Sequence, residues 1–246
     1  NRSRTVTDTA SAPPQPKVSL WEDFIDIFTS PSAVFRRRES SGFAVPLIVL
    51  TVLFAILVIG TKSLVMPAID ADIARAGAKL MHSHPEITAE QLQKNQAIGE
   101  KFGPIFVIVL IPIMAMLTGL VLWLVGKIFD SKQTGTAALM VATYAFFPKL
   151  LASIVGAVIA YLSNPDRLNG MTRLTVGLGA LLDPDKASPV LMALLVRVDV
   201  FTIWVTVLLA IGLHVTGKVP KAQSYLAAAI VWFIGALPGV LSALRG

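Results

Sequence analysis

The sequence contains no cysteine, which excludes disulfides, thiolate metal sites and cysteine nucleophiles. It is also poor in charge, since 15% of its 246 residues are Asp, Glu, Lys or Arg, against about 25% in a typical soluble domain. Hydrophobic residues make up 54% of the chain, more than the core of a soluble domain of this length can bury. These proportions indicate an integral membrane protein.

Catalytic and metal-binding motifs are missing as well. The sequence has no His-Glu-x-x-His motif, no Gly-x-Ser-x-Gly motif and no glycine-rich phosphate loop. His82 and His84 lie close together, but nothing nearby in sequence obviously supplies the further ligands that a metal site needs, which favours a solvated loop. We therefore predict no catalytic site, no metal and no cofactor, and a protein that is not an enzyme.

Five long apolar runs are present, and a helix needs about 20 apolar residues to cross a bilayer. They predict an all-α bundle of five transmembrane helices, at about residues 43–65, 104–126, 137–162, 190–215 and 222–244. The chain is therefore predicted to consist of three segments. These are a disordered N-terminal lead (1–19) rich in Pro, Ser and Thr, a pair of interfacial helices (20–39), and the five-helix domain (40–246).

Two longer loops separate these spans on one side. Residues 66–103 have helix-forming composition with a break near His84, and Thr88 with Gln91 fits a capping box that starts a new helix. The second loop contains the apolar segment 174–182, which is too short to span a bilayer and is predicted to be amphipathic or re-entrant.

The net charge of +6 indicates both orientation and lipid contacts. Three arginines directly precede the first span and the two short loops are basic, which predicts a cytoplasmic N-terminus and an outside C-terminus in a bacterial inner (plasma) membrane. Because the basic residues lie beside apolar runs, we expect them to contact anionic lipid headgroups rather than nucleic acid.

Residues 20–39 have the pattern of two amphipathic helices. Apolar residues of the first helix recur on one face, with Asp23 and Asp26 away from it, and Ser30 followed by Pro31 starts a second helix. We interpret the pair as a membrane-surface anchor, with aromatic rings in the acyl boundary and arginines at headgroups; the alternative is a pair docked on the protein's own bundle. The anchor residues are Trp21, Phe24, Phe28, Phe35, Arg36, Arg37 and Arg38.

Lys62 lies close to the end of the first predicted span, and three further charged residues lie deeper inside spans, where each costs about 2.5–3.5 kcal/mol unless it is paired. Arg197 and Asp199 lie in one predicted helix, about 200° apart, so they cannot pair with each other. We predict that Asp199 pairs with Lys149 on the preceding span, and that Arg197 snorkels outward to headgroups.

These charges have two interpretations. They form a proton or ion relay, or they form a buried pair that fixes helix packing. We favour packing, because the other three spans have no ionisable group between their ends. Packing roles are also predicted for the helix breaker Pro148, for Trp204, and for Gly235 and Gly239, whose small-x-x-x-small spacing permits close contact within the chain or between two copies.

Three stretches, in order, carry a family resemblance. They are FTSPSAVFRR, KIFDSKQTGTAALMVATYAFFPKLL and VDVFTIWVTVLLAIGLHVTG, with the landmark residues Pro31, Phe35, Tyr144, Pro148, Asp199, Phe201 and Trp204. Over roughly residues 20–244 the chain resembles the bacterial form of the Yip1 domain family of polytopic membrane proteins.

The resemblance implies a five-helix bundle with a cytoplasmic N-terminus. Eukaryotic relatives are associated with Rab GTPases and vesicle traffic, but this chain lacks their Asp-Leu-Tyr-Gly-Pro element before the first span, so GTPase binding is not expected. We expect a non-enzymatic scaffold or accessory subunit that organises membrane or holds a partner complex, with a second copy as another possible partner. The alternative is a small transporter or permease component that uses Lys149, Arg197 and Asp199.

Overall fold

Helices make up most of the described chain. The structure is a computed structural model that describes residues 19–165 and 168–245, so the predicted disordered lead lies outside the described residues except for Ser19. The helices are α1 (Leu20–Thr29), α2 (Pro31–Arg38), α3 (Ala44–Ser83), α4 (Ala89–Ile128), α5 (Gly135–Ala145), α6 (Phe147–Leu162), α7 (Pro189–Leu195), α8 (Val200–Gly217) and α9 (Lys221–Arg245). Two short 3₁₀ turns, Met171–Leu174 and Leu178–Leu181, lie between α6 and α7.

Five helical segments are long and apolar enough to cross a membrane. They are α3, α4, the α5–α6 pair, α8 and α9, and their most apolar windows have mean hydropathies from 1.9 to 2.9. The predicted all-α fold with five spans is confirmed. The most apolar window of α4 is 17% buried and that of α8 is 50% buried, so α4 presents most of its span to lipid while α8 lies deeper in the bundle.

The first two spans continue well beyond the predicted membrane boundaries. Helices α3 and α4 have 40 residues each, about 60 Å of helix, roughly twice the hydrocarbon thickness. Residues 66–103 therefore form a two-helix projection, which we call the arm. The predicted restart is present, because the Thr88 hydroxyl accepts from the Gln91 amide at 3.2 Å and the Gln91 side chain accepts from the Thr88 amide at 3.0 Å.

The third span lies at the centre of the bundle and bends once. Most of α5 is buried, and its many alanines let neighbouring helices approach closely. The helix ends at Ala145 and α6 begins at Phe147, because Pro148 has no N–H to continue the ladder. Fully buried side chains of the bundle core include Tyr144 beside the bend, and Leu208 and Leu213 of α8.

The prediction of one continuous helix over residues 190–215 is wrong. The chain forms the short helix α7, leaves helical geometry, and starts α8 at Val200. Residues 196–199, which we call the interruption, pair with the second outer loop. The Leu178 amide donates to the Val198 carbonyl at 3.0 Å, and the Val200 amide donates to the Val176 carbonyl at 3.1 Å. These interstrand bonds replace helical ones, so the outer loop re-enters the bundle at this level.

The N-terminal helix pair docks on the bundle, which was the alternative to the membrane-surface anchor. Phe24 stacks on Phe147 with ring centroids 4.7 Å apart, and Phe28 meets the Trp204 ring edge-on at 5.4 Å. Phe35 is fully buried. Placing Phe35 in the acyl boundary is therefore wrong, whereas Phe24 and Phe28 are partly exposed and pack on the bundle with one side. The bundle offers complementary rings to Phe24 and Phe28, and contact there removes apolar surface from water just as lipid would.

Candidate functional site

A buried carboxylate connects the N-terminal helices to the third span. Asp23 has no exposed surface, and its carboxylate accepts from Arg37 Nε at 2.8 Å, Arg38 Nε at 2.5 Å and the Tyr144 hydroxyl at 3.2 Å. Arg37 also donates to Asp26 at 2.8 Å. Paired charges and hydrogen bonds satisfy a group that is otherwise expensive to bury.

This cluster corrects two sequence predictions. Asp23 faces the bundle rather than lying away from the apolar face, and Arg37 and Arg38 bind it instead of pointing to headgroups. Arg36 and Trp21 stay at the surface, Trp21 with 69% of its area exposed. The equal numbers of acidic and basic residues in 20–38 were a signal that the two helices bind each other.

The structure brings the predicted intramembrane pair together. Lys149 Nζ lies 3.7 Å from Asp199 Oδ2 and donates to the Thr202 hydroxyl at 2.5 Å. That hydroxyl in turn donates to the same Asp199 oxygen. Thr202, which sequence reasoning missed, therefore connects the ammonium to the carboxylate. Its position three residues after an acidic residue at a helix start was the available signal.

Asp199 has a second role as the N-cap of α8. Its Oδ1 accepts from the backbone amides of Phe201 at 2.9 Å and Thr202 at 3.1 Å, which satisfies two of the free N–H groups at the helix start. Gly177 lies directly against this cap, and a Cβ there would be 2.6 Å from the Asp199 Cβ. The close approach allows the outer loop to pair with residues 198–200.

Arg197 does not extend outward, so the snorkelling prediction is wrong. Its Nη2 donates to the Trp232 carbonyl at 3.2 Å, and its guanidinium carbon lies 5.5 Å from the centroid of the Trp232 ring. A Cβ on Gly235 would be 2.8 Å from Nη2, so the glycine leaves the space that the guanidinium occupies. Gly239 lies one turn further along, against Ala193 of α7. Both glycines face this chain's own α7–α8 segment.

A cavity of about 290 Å³ opens beside these charges. It is bounded by α6, the start of α8 and the re-entrant part of the outer loop, and its charged lining residues are Lys149, Arg197 and Asp199. Within residues 19–165 and 168–245, no group of three or more His, Asp or Glu could hold a metal ion. The cavity offers two cationic side chains and one carboxylate to a ligand.

A second polar cluster fixes the arm to the outer loop. Arg75 of α3 donates to Asp72 at 2.7 Å and to Asp185 at 2.8 Å, and also to the Asn169 side chain. Asp72 accepts from the Met171 amide at 2.9 Å. Gly170 has a positive φ of 104°, and a Cβ there would clash with the Asp72 carboxylate, so a larger residue would be strained. Hydrogen bonds from Arg75 and then Asn169 lower the pKa of Asp185.

The fold and these sites define a polytopic α-helical integral membrane protein. The Yip1 domain matches residues 25–243. The chain belongs to the Yip1 domain family, as its motifs predicted. It is similar to Membrane protein YknW of Bacillus subtilis (strain 168), with 28% identity over 212 residues, which covers 85% of this chain and 84% of the relative. No solved structure gives a significant match.

Proposed function

We propose that this chain is a non-enzymatic membrane scaffold or accessory subunit that holds a partner protein complex through its arm. The observation that carries the proposal is the length of α3 and α4, 40 residues each. About half of each helix extends past the membrane. Membership of the Yip1 family and the absence of hydrolase and phosphate-loop motifs support a non-catalytic role.

The arm has the properties of a docking element. The Arg75 cluster ties its base to the second outer loop, so its direction relative to the bundle is restrained. Further out, apolar side chains are exposed on both helices, among them Met81 at 39% and Ile98 at 50%. Exposed apolar residues on a restrained element outside the membrane favour contact with another protein.

The inner side of the bundle supports the proposed orientation and lipid contacts. Lys218, in the loop between α8 and α9, lies 3.5 Å from Glu39 at the end of α2, so the N-terminal helices and this loop share one side. Basic residues concentrate there: Arg36, Lys127, Lys132, Lys218 and Lys221. We assign this side to the cytoplasm of a bacterial plasma membrane, facing anionic headgroups.

Photo-crosslinking in native membranes tests the scaffold function. A photoreactive amino acid is placed at Met81 or Ile98 in the arm, and at Ile56 in the same α3 helix as a control. Ile56 lies within the span and is 62% exposed, so it reports contact with lipid. We expect the arm positions, and not position 56, to give a crosslinked product of one discrete mass.

The mass of that product decides between the possible partners. Twice the chain's 26.3 kDa would mean that the arm joins two copies and does not hold another protein. If the arm positions give no protein crosslink and the chain purifies alone in mild detergent, the scaffold proposal is wrong.

The transporter alternative is supported by the cavity beside Lys149, Arg197 and Asp199. Reconstituted vesicles with an imposed pH gradient and an enclosed pH-sensitive dye test it for protons. Transport is favoured if the proton flux exceeds that of empty vesicles and is lost in Asp199→Asn. The control variant Asp26→Asn should keep the flux. Flux equal to that of empty vesicles contradicts it.

A further inference from the structure

The cavity between α6 and α8 has more positive than negative charge. Its lining includes two cations, Lys149 and Arg197, and one carboxylate, Asp199. No other acidic residue lines it among the residues that the structure describes. The site therefore has a net charge of +1 inside an apolar bundle, where an uncompensated charge is expensive.

The hydrogen bonds of Asp199 do not reach Arg197. One carboxylate oxygen accepts from two α8 amides, and the other receives the Thr202 hydroxyl and faces the Lys149 ammonium. Arg197 instead donates to the Trp232 carbonyl, and its Nε is enclosed without a hydrogen-bond partner in the described part of the chain. Among the described residues, no carboxylate forms an ion pair or a hydrogen bond with this guanidinium.

Lys149 remains available to a ligand. Its side chain is 33% exposed, and of its three ammonium hydrogens one binds Thr202 and one faces Asp199. The cavity of about 290 Å³ is at the lower end of the range for ligand pockets, so it suits a small charged group rather than a large molecule.

We propose that this cavity binds an anionic oxyacid group, a phosphate or a carboxylate. Lys149 makes the direct contact, and Arg197 supplies the positive charge that Asp199 leaves unbalanced. The chemistry is the same for the phosphate of a lipid headgroup and for a free phosphate, and the experiment separates these sources. The site is independent of the arm, so its failure would leave the scaffold function untouched.

The test compares the full chain in nanodiscs of phosphatidylcholine, with and without phosphatidylglycerol, and with inorganic phosphate added to phosphatidylcholine alone. Native mass spectrometry measures retained anionic lipid, and the thermal unfolding midpoint measures stabilisation by phosphate. Stabilisation by phosphate identifies a free anion as the ligand, and retained phosphatidylglycerol without that stabilisation identifies a headgroup.

Two near-isosteric variants are expected to change binding in opposite directions. Lys149→Met weakens anion binding about tenfold or more, the effect of one charge-assisted hydrogen bond. Asp199→Asn strengthens it, because it raises the net charge to +2 while asparagine still caps α8. Lys221→Met, at the first residue of α9 outside the cavity, leaves binding within about twofold of wild type.

Three results would overturn the proposal: no binding of either probe to the wild type, the same direction of change in both cavity variants, or an equal loss in Lys221→Met. A purely structural role of the charges predicts that both cavity variants bind less. If Lys149→Met does not fold, Lys149→Arg replaces it. It keeps the charge, so it must retain binding, while Asp199→Asn must still bind more tightly.

Discussion

Asp23 carries a charge yet has no exposed surface. Its two arginine partners come from α2 and its hydroxyl partner, Tyr144, from α5, so one carboxylate joins three helices. Breaking a buried ion pair by removing one partner is costly, and Asp23 is the fully buried member of two such pairs. The docking of the N-terminal pair therefore depends on this residue more than on its exposed neighbours.

Asp23→Asn is expected to lower the free energy of unfolding by about 3–5 kcal/mol. The matched control is Asp26→Asn, whose side chain is 35% exposed and whose loss costs about 1 kcal/mol or less. Equilibrium unfolding of the purified chain in mixed detergent micelles measures both variants. Equal effects of the two substitutions would contradict the role given to Asp23.

The Lys149 and Asp199 side chains are expected to be energetically coupled, since they lie 3.7 Å apart and share Thr202. A double-mutant cycle with Lys149→Met and Asp199→Asn should give a coupling energy of about 0.5–3 kcal/mol. The same unfolding assay measures it. If the double variant is no more stable than the sum of the single variants predicts, the pairing does not contribute to packing.

At the scale of elements, the outer loop connects two parts of the molecule. Its residues 176–178 pair with the interruption before α8, and its residues 169–185 hold the base of the arm through Arg75. The loop contains little regular structure of its own, so its position depends on these contacts. Releasing one end should therefore free the arm without unfolding the spans.

Acid is expected to release the arm from the loop. The lowered pKa of Asp185 means that folding favours its ionised form. The stabilisation that ionised Asp185 gives to the folded protein is fully present above the ordinary Asp pKa of about 3.9. It is lost as the pH falls through the lower pKa that Asp185 has in the folded protein. At pH 5–7 the contact remains intact, and below pH 4 it progressively opens.

Spin labels measure this opening directly. Because the chain has no cysteine, a label pair at Ala78→Cys and Lys186→Cys is specific, and both positions are exposed. The distance distribution should broaden at acid pH, and Asp185→Asn should broaden it at neutral pH. A narrow distribution in both cases would show that Arg75 and Asp185 do not control the arm.

For the whole molecule, five crossings place the two ends of the described chain on opposite sides of the membrane. The arm lies on the side opposite α1 and α2, because α3 leaves the N-terminal pair and crosses once before reaching it. The chain therefore presents the docked helices α1 and α2 on one side and the helical arm on the other.

Cysteine labelling in spheroplasts tests the proposed orientation. His84→Cys at the arm tip should react with a membrane-impermeant maleimide in intact spheroplasts, whereas Lys132→Cys between α4 and α5 should react after permeabilisation. Both positions are exposed, so accessibility within the protein is matched. The reverse pattern would place the N-terminus outside.

Features that depend on local signals could be predicted from the amino-acid sequence. Apolar runs predicted the five spans, and the capping pair Thr88 and Gln91 predicted the start of α4. Because a charge is costly inside a membrane, Asp199 was expected to pair with Lys149. Each of these follows from hydropathy, helix-end chemistry or desolvation, which act over a few residues or on one side chain.

Features that depend on contacts between distant segments could not be predicted without the three-dimensional fold. The interruption before α8 exists because residues 176–178 pair with it, and Asp23 faces inward because Arg37, Arg38 and Tyr144 converge on it. Arg197 turned inward because Gly235 leaves space beside Trp232. In each case the free energy comes from a partner whose position local sequence does not specify.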